Sequence, residues 1–243
     1  MFKKRLQVFC AHLMFSLLLL SIALTLVYVV WYPDPLASAM GVMKIYMIML
    51  AIDVIVGPIL TALVYKKNKK LFLFNVIVIL LLQLSAYFYG LYTVAQGRPA
   101  FMVFVVDDIE LVSPVDVSVD RLGENIAYHM LSKPLWIAST YSDDPKISDR
   151  QRSDEITNGN SIATEVSNYQ PLEWQSHKVK EKLRSLDELR VFNSQDKLDR
   201  TLSQHTNAIG WLPVKAPEID KVALFDENAY PIVIVDLNPW DVK

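Results

Sequence analysis

The side chain in this sequence with the clearest capacity for chemistry is a lone carboxylate, Asp53, inside a long apolar run. Gly57 lies one helical turn further on the same helix face, and Pro58 leaves a carbonyl one turn earlier without its usual N–H partner. An ionisable group among apolar residues is costly, and predicts an interhelical hydrogen bond, a partner-docking site or a proton or ion relay. A relay needs several acids or histidines, and the apolar runs contain only this acid.

The other candidates for chemistry are few. Asp107 and Asp108 follow a strand-like run, where two carboxylates support acid–base chemistry or cation binding but are also typical of a solvated turn. The four histidines show no metal-ligand spacing on one element: His12, His129, His177 and His205. No phosphate-binding glycine loop or nucleophile motif is present. The sequence therefore predicts no enzyme, no catalytic residue, no cofactor and no metal site.

Three apolar runs, residues 6–30, 43–65 and 71–94, must position Asp53. Each exceeds the roughly 20 residues that cross a bilayer, so we predict three transmembrane helices in residues 1–94. Three cations precede the first run and four lysines lie in the short loop 66–70, which puts the N-terminus in the cytoplasm. The first run is too long for a secretory signal and predicts an uncleaved signal anchor.

Gln83 lies near the middle of the third run, at the depth that Asp53 has in the second. Because a tight loop joins the two runs, we predict a hydrogen bond between these side chains, directly or through a water. Gly57 would allow close approach of another helix. The candidate partner-binding residues are therefore Asp53, Gly57, Pro58 and Gln83.

Residues 95–243 are predicted to form a periplasmic α+β domain with a small antiparallel sheet and helices on one face. This part carries sixteen Lys or Arg against twenty-four Asp or Glu and no cysteine, so it excludes nucleic acid as a partner and needs no disulfide. Alternation and helical periodicity predict these elements: strands at 101–106, 109–112 and 135–138, helices at 118–131, 172–192 and 195–206, and a hairpin of 222–225 with 232–235. We expect residues 139–171 to be a surface loop with at most short helical pieces.

The chain resembles the type IV pilin accessory proteins of Gram-negative bacteria, the TfpX/TfpZ family, almost from end to end. The resemblance is carried by segments along the whole chain: Trp31–Leu36 with Gly41, Asp53–Thr61, Gln83 with Tyr89–Leu91, Arg98–Pro99 with Val103–Phe104, and Pro239–Trp240. The chain departs from the family at Asp107–Asp108, where an Asp-Arg pair is expected, and at Asn228–Ala229, where the final hairpin usually turns on glycine.

The resemblance implies a non-enzymatic helper of pilus biogenesis in the inner membrane. Such proteins act on their cognate major pilin, favouring its stability or its entry into the assembly machinery, so the partners implied are that pilin, inner-membrane pilus assembly proteins and membrane lipid. The alternative from the residues alone is a membrane-anchored sensor with an extracytoplasmic ligand-binding domain. A sensor needs a cytoplasmic output, for which the sequence offers only five N-terminal residues and the lysine loop.

Overall fold

The computed structural model describes the backbone of residues 2–65 and 69–241. Within these ranges it leaves out the side chains of residues 2, 43–45, 48–49, 51–53, 69–70 and 120. The chain divides into two compact units, and each unit is made of two segments that are separate in the sequence. A helical unit contains residues 1–30 and 42–96, and an outer unit contains residues 31–41 and 97–243.

Long apolar helices make up the helical unit. The helices of the first part of the chain are α1 (Phe2–Thr25, continued by π-helical turns to Trp31), α2 (Leu36–Ala39), α3 (Val42–Val64) and α4 (Lys69–Gln96). Among the described residues, two helical stretches are long and apolar enough to cross a membrane, Lys3–Trp31 and Leu71–Gln96. In the second predicted span the described apolar helix is shorter, Val54–Val64. Helices with the length and hydropathy of a span therefore occupy two of the three predicted positions, and several side chains of the second position lie outside the described residues.

The outer unit is built on a mixed sheet whose described strands number seven. They are β1 (Phe101–Val105), β2 (Asp108–Val112), β3 (Leu135–Ser139), β4 (Tyr169–Pro171), β5 (Gly210–Lys215), β6 (Lys221–Phe225) and β7 (Pro231–Val235). Their order is β4-β3-β1-β2-β5-β6-β7. The pairs β1–β3 and β2–β5 are parallel, so the predicted small antiparallel sheet is wrong. The α+β class is confirmed.

Three longer helices lie among the connections of the outer unit: α5 (Pro145–Asn158), α6 (Ser176–Lys182) and α7 (Gln195–Gln204). The long surface loop predicted at 139–171 is wrong, since it contains all of α5 and β4. The helix predicted at 118–131 is also wrong, because only Val119–Arg121 is helical and only as a 3-10 turn. The helix predicted at 172–192 is broken at Leu183, which has extended backbone and ends α6. Helix α7 and the β6–β7 hairpin are confirmed.

The loop between α1 and α3 contributes to the core of the outer unit. Leu36 and Ala39 are buried in one hydrophobic cluster with Phe104, Leu212 and Phe225, which come from three strands. The Ala39 carbonyl also accepts hydrogen bonds from the backbone N–H groups of residues 218 and 219, at 3.0 and 3.3 Å. Residues 31–41 are therefore part of the outer unit's fold and not a free connection.

Both sequence departures from the pilin accessory family lie in tight turns of this sheet. Ala229 has a φ of 62° in the β6–β7 turn, so this alanine adopts the left-handed conformation that glycine takes more easily. Its side chain is buried in the core, which compensates for that conformation. In the β1–β2 turn Val106 has a φ of 51°, an uncommon conformation for a β-branched residue.

A buried ammonium group, that of Lys221, lies where β6 begins beside the end of β7. Lys221 is 2% exposed and its Nζ lies 2.5 Å from Asp236 Oδ1, while Lys197 Nζ lies 3.0 Å from Asp236 Oδ2. The Lys221 hydrogen bond, opposed by desolvation and reinforced by Lys197, holds the pKa of Asp236 below its ordinary value. The carboxylate therefore stabilises the fold above its unfolded pKa, and this contribution is lost as the pH falls through the lower folded pKa.

Asp236→Asn is expected to lower the free energy of unfolding of the outer unit by about 1–2 kcal/mol, because the Lys221 ammonium loses its anionic partner. The value is moderate since Asp236 itself is largely exposed. Chemical denaturation at pH 7 measures the change, and the difference between the two proteins should shrink as the pH is lowered below about 4. Lys197→Ala is the matched control, since this exposed lysine should contribute about 0.5 kcal/mol or less. Equal effects of the two substitutions would contradict the role of Lys221.

Candidate functional site

Four polar side chains from three helices meet inside the helical unit. His12 and Ser16 lie one turn apart on α1, Thr61 lies on α3 and Gln83 on α4, and none is more than 8% exposed. His12 Nδ1 lies 2.6 Å from Thr61 Oγ1, and His12 Nε2 lies 2.7 Å from Gln83 Oε1. Gln83 Nε2 donates to Ser16 Oγ at 3.0 Å. We call this set the polar network.

The donor and acceptor roles in the polar network follow from the chemistry of its groups. Gln83 Oε1 is only an acceptor, so His12 must carry its proton on Nε2. In the neutral ring Nδ1 is then an acceptor, and the Thr61 hydroxyl donates to it. Both ring nitrogens of the neutral imidazole are then hydrogen-bonded. The arrangement fixes the relative register of α1, α3 and α4.

Gly57 is required by this arrangement. A Cβ at this position would lie 2.3 Å from Gln83 Oε1 and 2.9 Å from Gln83 Cδ, so the amide occupies the space that a side chain would need. The close helix approach expected at Gly57 is therefore made by α4 of the same unit. Pro58, the next residue, is also buried.

Of the predicted partner-binding residues, the structure brings Gly57 and Gln83 together. The side chain of Asp53 lies outside the described residues, so its predicted hydrogen bond to Gln83 remains a prediction. The patterns in the sequence did not connect Gln83 with His12 and Ser16, nor His12 with Thr61. A signal existed, since His12 and Ser16 share one face of an apolar helix, but nothing in the sequence placed that face against α4.

An apolar groove of about 200 Å³ lies beside the polar network, between α3 and α4. Its walls are Val56, Leu60, Ile79, Leu82 and Ala86, and Gly57 and Gln83 also line it. Val56, Leu60 and Leu82 are 43%, 42% and 68% exposed. The groove thus offers an apolar surface. Gln83, which lines it, is held in place by its hydrogen bonds to His12 and Ser16.

A second buried polar group, Arg98, lies in the outer unit. Its guanidinium donates to Tyr128 Oη at 2.7 Å and lies 5.3 Å from the centre of that ring and 6.0 Å from the ring of Trp31. The indole N–H of Trp31 donates to the carbonyl of Met130 at 2.9 Å. These contacts hold residues 31–41 against the rest of the outer unit. They also join the segment of Trp31 to that of Arg98, two of the segments on which the family resemblance rests.

Asp107 and Asp108 differ in their exposure and in their contacts. Asp107 is exposed in the β1–β2 turn, whereas Asp108 is 6% exposed and forms an ion pair with Lys215. Burial raises the pKa of the Asp108 carboxyl, and the nearby lysine opposes that rise. Among the described residues, no three His, Cys, Asp or Glu side chains are grouped as metal ligands.

Taken together, the structure defines a protein that joins an apolar helical unit, with a polar network inside it, to an α+β unit. Sequence comparison gives its relatives. The fimbrial assembly protein FimB family profile matches residues 1–41. A fimbrial assembly protein of Dichelobacter nodosus, serogroups C1 and C2, is 34% identical over 115 residues, which are 46% of this chain and 88% of the relative. The chain belongs to this family of fimbrial assembly proteins.

The fimbrial assembly proteins of Dichelobacter nodosus serogroups I and E1 are each 34% identical over 136 residues. The match covers 51% of this chain and 53% of each relative, so the chain spans about half the length of these two proteins. No solved structure matches the chain.

Proposed function

We propose that this protein is a non-enzymatic accessory factor of type IV pilus biogenesis, which holds its cognate major pilin in the bacterial inner membrane and promotes the stability or assembly of that pilin. Two comparisons support the role: the relatives are named fimbrial assembly proteins, and the chain resembles the TfpX/TfpZ pilin accessory proteins. The observation that carries the proposal is the groove between α3 and α4, an exposed apolar surface of the size of a few side chains.

The proposed topology is three spans, with the N-terminus in the cytoplasm and residues 97–243 in the periplasm. Two described helices have the length and hydropathy of spans, and the lysines of residues 66–70 are typical of a cytoplasmic loop. The surface of α4 supports the same topology, because large apolar side chains cover it: Leu71, Leu73, Phe74, Leu81 and Leu82 are all more than half exposed. Such a surface is stable in lipid and unstable in water.

A pilin helix fits the groove for reasons of packing. Helix association within lipid depends on close packing and not on removal of apolar surface from water. Gly57 and Ala86 keep the groove open, and the Gln83 amide fills the space behind Gly57. An apolar helix lying on α3 and α4 would contact Val56, Leu60 and Leu82, which form the exposed walls.

The test is site-specific photo-crosslinking in cells that assemble pili. A photo-reactive residue at Leu60 is expected to crosslink to the major pilin. The matched control is Ile55, which is exposed on the same helix but does not line the groove. Equal crosslinking from both positions, or none from Leu60 while the protein remains in the membrane, would overturn the assignment of the groove.

Asp53 provides a second prediction for the same surface. Asp53→Ala is expected to lower surface piliation about tenfold while the protein stays in the membrane, if its charge meets a positive group on the pilin helix with about 1.4 kcal/mol. Counting surface pili and immunoblotting the membrane fraction measure both quantities. Asp53→Asn separates docking from packing, because asparagine keeps hydrogen bonding and removes the charge. Normal piliation in Asp53→Asn, with loss of the protein in Asp53→Ala, would make Asp53 a packing residue.

A further inference from the structure

One end of the sheet in the outer unit collects three loops. Strand β1 begins there at Phe101, and the pairing puts the last residue of β2, Val112, and the first residue of β3, Leu135, beside it. Strand β5 runs parallel to β2, so it also ends on this side of the sheet. The loops at this end, which we call the end loops, are residues 113–118, 122–134 and 216–220.

Two of the end loops are hydrogen-bonded to residues that directly adjoin a long apolar helix. The Ser113 hydroxyl donates to the carbonyl of Gly97, the residue after α4, at 3.0 Å. The Met130 carbonyl accepts the indole N–H of Trp31, which is the last residue of the π-helical turns that continue α1. The loops 113–118 and 122–134 are therefore held next to the ends of α4 and α1.

The third end loop is held near the start of α3. The backbone N–H of Ile219 donates to the Ala39 carbonyl at 3.3 Å, and α3 begins three residues later at Val42. The atoms of all these hydrogen bonds belong to the outer unit. On the proposed topology the end of α1, the start of α3 and the end of α4 are the three points where the chain crosses the periplasmic surface of the membrane. Chain continuity thus keeps each end loop close to such a point.

Each of the end loops exposes large apolar side chains. Val115 is 67% exposed, Met130 46%, Leu131 66% and Ile219 45%. Single exposed apolar residues are common on protein surfaces, and this sheet also has them at its other end. The distinguishing feature of the end loops is that their apolar residues lie beside the points where the chain leaves the lipid.

We infer that the end loops rest on the phospholipid bilayer and insert Val115, Leu131 and Ile219 into its interface. The inference rests on the proposed three-span topology and adds a second, reversible contact with the lipid. Apolar groups at a membrane surface insert about 5–10 Å, to the boundary between headgroups and acyl chains. The end loops also carry acids, among them Asp116 and Asp220, so the contact depends on apolar insertion and does not require anionic lipid.

Three inserted side chains are sufficient because the spans already hold the protein at the membrane. The strength of interfacial binding scales with the apolar area that is buried, so these side chains would bind a freely diffusing protein only weakly. A tethered unit meets the lipid at a high effective concentration, and a weak contact then persists. The contact fixes the orientation of the sheet on the bilayer and leaves the β1–β2 turn at the end away from the lipid.

Nitroxide quenching in lipid nanodiscs tests the inference. The full-length protein carries Cys10→Ser and Ile219→Cys, and a bimane dye is attached at position 219. The nanodiscs contain phosphatidylcholine, with or without a fraction of lipid that has a nitroxide on the acyl chain near the headgroup. The dye at position 219 is expected to lose most of its fluorescence when the nitroxide lipid is present.

The matched control is Ile209→Cys, labelled in the same way. Ile209 is also an exposed isoleucine, at 53%, but it precedes β5 whereas Ile219 follows it. The six residues of β5 separate the two positions by about 20 Å along the sheet, so the dye at position 209 should keep most of its fluorescence. Val115→Cys and Leu131→Cys report on the other two end loops and should be quenched as position 219 is.

A second measurement avoids the influence of the dye. The unlabelled cysteine at position 219 should react with a water-soluble maleimide more slowly in nanodiscs than the unlabelled cysteine at position 209, because lipid covers it. Equal reactivity at the two positions would contradict the inference.

The failure of the inference can be told apart from the failure of the proposed function. An unquenched dye in any of the end loops, or equal quenching at positions 209 and 219, would overturn the inference while the protein remains in the bilayer and the proposed function stands. Extraction of the protein from membranes by alkaline carbonate would overturn the proposed topology and the inference with it.

Discussion

Replacement of Gly57 by alanine is expected to lower the free energy of unfolding of the helical unit by about 2–4 kcal/mol. The added methyl carbon would lie 2.3 Å from Gln83 Oε1, so the amide must move and give up its hydrogen bonds to His12 and Ser16. Each interhelical hydrogen bond is worth about 0.6–1.7 kcal/mol, and strained packing adds to the loss. Unfolding in detergent micelles, followed by helical circular dichroism, measures the change.

The matched experiment uses Gln83→Ala as the second background. Alanine at position 83 removes the colliding amide, so Gly57→Ala in that background should cost less than about 0.5 kcal/mol. The coupling free energy between positions 57 and 83 should then account for most of the loss of stability caused by Gly57→Ala alone. A cost of Gly57→Ala that is the same in both backgrounds would mean that the glycine is needed for a contact other than that with Gln83.

Replacement of Trp31 by alanine is expected to lower the free energy of unfolding of the outer unit by about 3–5 kcal/mol. Trp31 precedes the first strand by seventy residues, yet it is 1% exposed and its N–H reaches the Met130 carbonyl. Its loss also removes the aromatic face beside the Arg98 guanidinium. Calorimetry of the full chain, with protease resistance of residues 97–243 as a second readout, measures the effect.

Two substitutions control the Trp31 experiment. Val29→Ala removes an exposed side chain from the preceding helical turns and should change stability by less than about 0.5 kcal/mol. Trp31→Phe keeps an aromatic ring but loses the N–H donor, so it should cost less than alanine, about 1–3 kcal/mol. An outer unit as stable in Trp31→Ala as in the parent protein would contradict the role of residues 31–41 in its core.

Features that depend on local sequence were predicted well. The apolar runs predicted α1 and α4, and the β6–β7 hairpin and α7 followed from alternation and helical periodicity. Helix α5 was missed because no described residue in it is buried, so it has no apolar period. Its end signals were nevertheless present: Asp144 as the N-cap, Pro145 at the first position and Gly159 in the left-handed conformation at the end.

Features that depend on pairing between distant segments were not predictable. The parallel pairing of β1 with β3 depends on a crossover that strand patterns do not encode, so the sequence indicated strands but an antiparallel sheet. The polar network was missed for the same reason, because it also depends on contacts between distant segments. Gln83 was singled out by its depth, but its partners His12 and Ser16 lie on α1, and Thr61, the other partner of His12, lies on α3. Depth alone does not say which helix faces meet.

The division of the outer unit into residues 31–41 and 97–243 has a consequence for the order of synthesis. Its first part leaves the ribosome before the helical residues 42–96, and the remainder follows only after them. At about 5–20 residues per second, these roughly 55 residues delay completion of the outer unit by about 3–11 s. During that interval Leu36 and Ala39 have no core to enter. The helices α3 and α4 are thus complete before residues 97–243 are made, so an early species available to a partner contains the helical unit and residues 31–41 without the rest of the outer unit.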